Sequence, residues 1–559
     1  MLTRSCLFCC LLALVAALRA EAQQNDVRPN IIIIMADDMG YSDIGCYGGE
    51  IATPNIDYLA RNGLRFSQFY NTSRCCPTRA SLLTGLYSHQ AGIGNMSFDQ
   101  GVAGYRGYIM ENTITLAELL KTGGYNTGMV GKWHVANTVQ QKSKEEHLAW
   151  LNHQADHELF APLEQYPTSR GFDKYYGTIW GVVNFFDPFS LVNGTEPVKK
   201  IPEGYYYTDA INDTAAAYVR QFSRQKAPFF LYVAQTAPHW PLHALPEDIK
   251  KYRDVYKAGW DVIREARYKK MISEGVFSAD KNILSPRFDK ERRWEDNPDK
   301  EWDAYAMAVR AAMVDRMDQG IGRIINALRE TGELENTLIF FLSDNGASSD
   351  DAQRYGPGLD RPGETRNGKK IIYPVDKKAL PGTETTFAST DNMWSNVANT
   401  PFRYWKSESY EGGICTPLIA YWPAGLKAQK GSVTDQPGHV MDFMGTVQEL
   451  AGVPYPKEFK GHVITPADGQ SLVPVLKGKQ RKGHEYLFFE HIGGRAVRWG
   501  DWKLVTLDAK KDWELYNIKD DRTEVNNLAA QHPQLVEQLR NKWMEWARAS
   551  HVLPKPNAR

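Results

Sequence analysis

Unbroken apolar runs, each ending in a short polar loop, set the pattern of this chain. Ile31-Ile32-Ile33-Ile34-Met35, after Pro29-Asn30, is β-branched and continuous. That pattern predicts a central strand buried on both faces. Pro228–Ala234 and Thr337–Leu342 read the same way, and a shorter strand is predicted around Gly128-Met129-Val130. The loops after these strands are Asp37-Asp38-Met39-Gly40, Lys132-Trp133-His134, Pro238-His239-Trp240-Pro241 and Asp344-Asn345-Gly346. Open α/β sheets bind ligands beyond the C-terminal ends of their strands, so these four loops are expected to share one site. Between residues 304 and 330, Met307, Met313, Met317, Ile321, Ile324 and Leu328 recur at helical spacing, which predicts a long core helix.

Residues 350–400 are rich in Gly, Pro, Thr and charge without periodicity, and read as a long loop flanking the site. The character changes near residue 434. Short strands at Tyr486–Glu490, Ala496–Trp499 and Trp502–Val505 precede a final helix over 533–550. The expected organisation is a catalytic domain over 23–433 and a smaller α+β domain over 434–559. No internal repeat or low-complexity run is present.

Residues 1–22 read as a secretory signal, with Arg4, an apolar run from Cys6 to Leu18 and Ala20-Glu21-Ala22 as cleavage site. The run is too short to anchor in a bilayer and no later stretch approaches that length. An exported chain without a membrane anchor, periplasmic or secreted, is expected. After removal of the signal, 64 basic and 65 acidic residues remain, a balance that argues against a nucleic-acid partner. The four remaining cysteines, Cys46, Cys75, Cys76 and Cys415, do not make a disulfide scaffold. A pair between Cys415 and either Cys46 or Cys76 stays open.

Cys75-Cys76-Pro77-Thr78-Arg79 runs into the helix-competent segment Ala80–Gly85. Proline suits the first turn of a helix, so Cys75 is placed at a helix N-terminus, where backbone N–H groups favour an anion. Arg79 in that first turn can offset further negative charge. A buried cysteine pair at a strand-to-helix turn is the plainer alternative. Asp37-Asp38 and Asp344-Asn345 are oxygen ligands suited to a hard divalent cation, calcium or magnesium, or else ordinary strand-end turns.

Together these motifs resemble the sulfatase family, in its formylglycine-dependent type I branch and closest in appearance to bacterial arylsulfatases. Arg170-Gly171-Phe172-Asp173, Met313–Asp318 and Glu490–Arg498 add to the likeness, while the segment 140–165 departs from the family's spacing. The resemblance implies an alkaline-phosphatase-like α/β fold: a large mixed sheet flanked by helices, with a smaller C-terminal domain of antiparallel sheet and terminal helix. It implies that a formylglycine-generating maturation enzyme converts Cys75 to formylglycine, the nucleophile. One calcium ion would be held by Asp37, Asp38, Asp344, Asn345 and the group at Cys75. Arg79, Lys132 and Lys406 (in Lys406-Ser407-Glu408-Ser409-Tyr410-Glu411-Gly412-Gly413) would stabilise charge, His239 would protonate the leaving group and His134 would act as base. His491 or Arg495 is expected to edge the substrate pocket. The implied reaction is hydrolysis of a sulfate monoester, an aryl sulfate or a sulfated carbohydrate. A phosphonate or phosphodiester hydrolase on the same fold, or an inactive sulfated-glycan binder, are the alternatives.

Overall fold

The computed structural model describes residues 28–155, 159–280 and 282–556; the proposed signal segment lies outside them. The principal elements in chain order are β1 (Asn30–Ala36), β2 (Leu64–Tyr70), α1 (Cys75–Thr84), β3 (Asn126–Gly131), β4 (Lys174–Thr178), α2 (Tyr207–Phe222), β5 (Phe229–Ala234), α3 (Lys300–Glu330), β6 (Thr337–Ser343), β7 (Cys415–Tyr421) and α4 (Asp442–Ala451). A second group comes after them: β8 (Tyr486–His491), β9 (Gly494–Trp499), β10 (Trp502–Thr506), β11 (Glu514–Asn517) and α5 (Pro533–Ala549).

The first group forms a mixed sheet in the order β2-β7-β6-β1-β5-β3-β4, extended by short strands at both edges. β6, β1, β5, β3 and β4 run parallel, and β7 turns antiparallel to β6 and β2. Every residue of β1, β5 and β6 is buried, because helices cover both faces. One face packs against α2 and α3, with Met307, Met313, Met317, Ile321 and Leu328 in its core. The other packs against α1 and α4. This double coverage is the reason the strand sequences are continuously apolar.

β8–β11 form a separate antiparallel sheet, and α5 seats Leu539 and Trp543 in the apolar core that this sheet shares with the large domain. The expected boundary at residue 434 falls inside the large layer. Val433-Thr434 and Gly438-His439 pair with β2, and α4 lies against α1. The small sheet begins only at Tyr486, because the apolar side of the 434–476 segment is needed to cover the large sheet. Cys46, Cys75, Cys76 and Cys415 are all free thiols, so neither pairing left open for Cys415 forms. Its Sγ instead accepts a hydrogen bond from Arg522 (3.4 Å).

The candidate active site

Strand register assembles the site. Ala36 of β1 sits opposite Ser343 of β6, Met35 opposite Ala234 of β5, and Ala234 opposite Gly131 of β3. Four adjacent parallel strands therefore end at one level, and their loops deliver Asp37-Asp38, Asp344-Asn345, His239 and Lys132-His134 to one edge. Backbone bonds pin the exits: Asp344 N donates to Ala36 O (3.1 Å), Asp37 N to Ala237 O (3.1 Å) and Lys132 N to Ala234 O (2.9 Å). Asp38 and His134 both hold left-handed backbone conformations, at φ 61° and 58°. Such strain persists only where the surroundings over-determine it, and it clusters at functional sites.

α1 begins at Cys75, with Arg74 as its N-cap residue in extended conformation. All ten residues of α1 are buried, and Gly85 closes it in the left-handed region at φ 72°. Cys75 thus lies at a buried helix N-terminus. Its Sγ, that of Cys76 and a ring nitrogen of His134 lie within 4.8 Å of one another. The contact with Cys76 lowers the Cys75 thiol first; burial opposes it, and Lys132, His134 and Lys406 add to the lowering, leaving it well below the ordinary thiol value.

Beside it, cations and carboxylates interlock. Lys132 Nζ is 2.6 Å from Asp37 Oδ2, and Lys406 Nζ is 2.8 Å from Asp38 Oδ2. Arg79 bonds Asp344 Oδ2 at 2.9 Å and donates to Lys132 O at 2.9 Å. His239 Nε2 stands 3.5 Å from Asp38 Oδ2, and Asn345 Nδ2 donates to Asp38 Oδ1 at 2.7 Å. Burial alone would raise the Asp37 carboxyl, but Lys132, His239 and Arg79 outweigh it and hold it far below the usual range. Asp344 goes the other way: burial and the neighbouring Asp37 charge raise it well above that range. Burial lowers His134 to about 4, against the pull of Cys75 and with that of Lys132. Burial likewise lowers His239, and Asp38 opposes.

Oxygen atoms of Asp37 and Asp38 lie within 4.8 Å of each other and of a His239 nitrogen. Asp37 Oδ1 and Asn345 Oδ1 are buried without any hydrogen-bond partner. Buried acceptors left unpaired are costly, and a cation between them would satisfy both. The donor set is oxygen on both loops, so the residues fit a hard divalent ion.

Every residue expected at the catalytic centre is therefore brought to one edge of the sheet. A cleft of about 410 Å³ opens over it, lined by Cys75, His134, His239 and Lys406 together with Arg74, Trp180, Trp240, Asp350, Tyr355 and Arg361. His491 and Arg495, expected at its edge, are not among these lining residues. His491 is buried at 1% exposure, and the Arg495 guanidinium lies 4.7 Å over the Trp543 ring. Arg74, Asp350 and Tyr355 were not foreseen individually. The one signal for the latter two was the loop character of 350–400.

The sulfatase family model matches residues 29–453, three-quarters of the chain. The chain belongs to the sulfatase family. A second model, described as N-sulphoglucosamine sulphohydrolase, C-terminal, matches residues 403–549. This sulfatase is 31% identical to an arylsulfatase of Klebsiella aerogenes, over 83% of the chain and 95% of the relative. It is also 31% identical to an uncharacterized sulfatase of Schizosaccharomyces pombe, over 96% of both, and 27% identical to an N-acetylglucosamine-6-O-sulfatase of Bacteroides thetaiotaomicron, over 93% of the chain and 86% of the relative. A crystal structure of Ps i-CgsB superposes with a TM-score of 0.63 at 25% identity, covering 93% of each chain. The phosphonate monoester hydrolase of Agrobacterium radiobacter shares the fold at a TM-score of 0.52 and 18% identity, over 94% of the chain and 96% of that structure. The sulfatase is a sulfuric ester hydrolase.

Proposed function

We propose that this sulfatase hydrolyses a sulfate monoester of an aryl or sugar alcohol, using formylglycine made from Cys75 and one calcium ion. The observation that carries the reading is the meeting of Cys75, at the N-terminus of α1, with the oxygen ligands Asp37, Asp38, Asp344 and Asn345 and the cations Lys132 and Lys406 at one sheet edge. Formylglycine, as its hydrate, supplies a hydroxyl nucleophile at position 75 that no ordinary side chain offers. Calcium, held by Asp37, Asp38, Asp344 and Asn345, supplies a Lewis acid for a sulfate oxygen.

The chain's own residues do the rest. Lys132 and Lys406 are buried, so their charges act in a low-dielectric site on the negative charge that spreads over the sulfate oxygens. Arg79 is fixed by Asp344 and by the Lys132 carbonyl, which holds the helix start and the lysine in one frame. His239 Nδ1 is engaged by the Trp240 carbonyl, leaving Nε2 to deliver a proton to the departing oxygen, with Asp38 as counter-charge. His134, kept neutral by burial, takes a proton from the hydroxyl at position 75. The apolar segment before residue 22 supports export to the periplasm or medium, and maturation of Cys75 by a formylglycine-generating enzyme while the chain is unfolded.

The test is sulfate release from para-nitrophenyl sulfate by protein whose peptide mass shows formylglycine at position 75. Turnover that disappears in Cys75→Ala is expected. Turnover unchanged in that variant would overturn the reading, as would faster hydrolysis of a matched phosphonate ester.

A further inference from the structure

Among the described residues, two groups of metal-capable side chains bring their donor atoms within 4.8 Å of one another. Asp37, Asp38 and His239 make the oxygen-rich group, whose carboxylates belong to the calcium site proposed above. The other is Cys75, Cys76 and His134, two sulfurs and an imidazole nitrogen. These three residues are buried, at 2%, 0% and 6% exposure. The sulfate-ester reading uses position 75 and His134 and leaves the Cys76 thiol without a task.

The fold fixes all three side chains. Cys75 and Cys76 are the first two residues of α1, ahead of Pro77, and their thiols are in hydrogen-bonding contact. His134 comes from the loop after β3. Its backbone N donates to Ile179 O (3.1 Å), and its ring lies so close to Gly181 that a Cβ there would stand 2.4 Å from Nε2. The ring touches the Cys75 thiol, and its Nδ1 is buried with no hydrogen-bond partner. The other two thiols are placed differently. Cys46 sits against Asp57, and Cys415 Sγ lies between Ser67 O (3.7 Å) and Arg522 (3.4 Å).

Two sulfurs and a nitrogen select a different ion from the oxygen set beside them. Thiolate and imidazole favour zinc and its soft neighbours, whereas calcium takes carboxylate and amide oxygens. Tetrahedral zinc bonds sulfur at about 2.3 Å and nitrogen at about 2.0 Å, which puts its ligand atoms about 3.5–3.8 Å apart. Closing the three donors from within 4.8 Å onto one ion asks for side-chain shifts of about 1 Å. Zn2+ takes the place of two thiol protons, which leave to solvent, so the exchange adds no net charge beside Arg79, Lys132 and Lys406. Cys75 and His134 line the cleft, and Cys76 is not among its lining residues. The three ligands thus hold the ion from behind and leave its fourth position, for water, toward the cleft.

We propose that the unmodified chain, with cysteine still at position 75, binds one zinc-class divalent cation through Cys75, Cys76 and His134. The site exists only before formylglycine is made, because conversion of Cys75 removes one of its two sulfurs. A chain that folds before modification is then held in a metal-capped form, in which the ion blocks the approach to position 75. One side-chain atom decides between the two states: with sulfur at position 75 His134 is a ligand, and with oxygen there it is free to take a proton. The inference stands on the placement of two thiols and an imidazole and does not depend on the sulfate-ester reading.

The experiment uses the full chain made without a maturation enzyme, with peptide mass showing cysteine at position 75. The protein is stripped of metal, returned to excess calcium so that the oxygen ligands are occupied, and titrated with Co2+ and then Zn2+. One Co2+ per chain is expected, with a thiolate-to-cobalt charge-transfer band that Zn2+ abolishes stoichiometrically. Cys76→Ser should roughly halve the band and weaken zinc about a hundredfold, the share of one ligand in a structural zinc site. His134→Gln should weaken zinc while keeping the sulfur band, and Cys46→Ser and Cys415→Ser should change neither. The formylglycine form, folded and otherwise identical, should show no band. Absence of a charge-transfer band in the cysteine form overturns the proposal. So does a band of equal strength in Cys76→Ser or in the formylglycine form, or zinc binding that only Asp37→Ala removes, which would put the ion on the oxygen ligands.

Discussion

A Cβ placed on Gly181 would lie 2.2 Å from Cε1 of His134. Both residues line the cleft, so the backbone at 181 is the wall that sets the imidazole's position. Gly181→Ala is expected to push the ring outward and away from position 75. A displacement of about 1 Å in a reacting group costs on the order of 100-fold in rate. The loss should appear in kcat for para-nitrophenyl sulfate while the thermal midpoint stays within a few degrees of wild type. A variant with wild-type kcat would remove His134 from the proton-transfer role.

Asp37 Oδ1 and Asn345 Oδ1, buried and unpaired, predict that calcium stabilises the fold as well as the reaction. Added calcium should raise the thermal midpoint in proportion to the logarithm of its concentration. At a hundredfold excess over Kd the gain is about 3 kcal/mol. A chelator should reverse it and suppress turnover. Asp37→Ala should abolish the calcium response in differential scanning fluorimetry; a response that survives the substitution would move the ion elsewhere.

Lys503, on β10 of the small sheet, reaches into the large domain. Its Nζ is 3.0 Å from Glu411 Oε1 and 2.7 Å from Glu524 Oε1, and all three side chains are fully buried. Removing one partner of a buried charge cluster strands the others, at about 3–5 kcal/mol. Lys503→Met should therefore lower the urea midpoint sharply. Adding Glu524→Gln to it should recover part of the loss, since Glu411 keeps its pair with Arg522 at 3.1 Å and no carboxylate is then stranded. A single variant as stable as wild type would show the cluster to be solvated.

Three buried histidines outside the catalytic centre make the protein acid-sensitive. Burial brings His243 to about 4, His439 to about 3 and His491 to about 3, against an ordinary value of 6.5; Asp442 opposes the shift of His439, and Arg74 reinforces that of His491. The folded chain refuses protons that the unfolded chain accepts. Their contribution to stability is thus present above pH 6.5 and drains as pH falls toward 4. In that window these histidines take up protons on unfolding, while Asp318, raised by burial to about 6, and Glu408 and Glu524, raised by burial to about 7, release them. Urea midpoints from pH 7 to pH 4.5 for wild type and His439→Gln check the histidine share: the variant should lose less stability on acidification, and an identical acid profile would refute it.

Local sequence specified the strands and the polar loops at their ends. Ile31–Met35, Phe229–Ala234 and Thr337–Leu342 are apolar without alternation because both faces of the sheet are covered, and that covering is visible in one dimension. The same holds for α3, whose apolar spacing marks its buried side, and for Cys75-Cys76-Pro77, whose proline places the cysteine at a helix start. Asp37, Asp38, Lys132, His134, His239, Asp344 and Asn345 were legible because each lies in the loop that follows such a strand, whereas Lys406 lies in a loop between Ala398 and Glu411 and was identified only through the family resemblance.

Which surfaces meet is not visible in one dimension. The segment from Val433 to Leu476 looks like the start of a new domain, yet its short strands pair with β2 and its helix packs on α1. Edge pairing depends on an unfilled ladder on a strand more than 300 residues earlier. Cys415 stays reduced because its strand neighbours and Arg522 occupy its surroundings. Arg74, Asp350 and Tyr355 carry no periodic signal, since a loop's side-chain directions come from the elements that trap it. The strands and the reacting groups were thus written in local sequence, whose apolar spacing and turn residues act over a few positions. The substrate-facing wall, the domain boundary and the thiol pairings were decided by long-range packing, which no local pattern records.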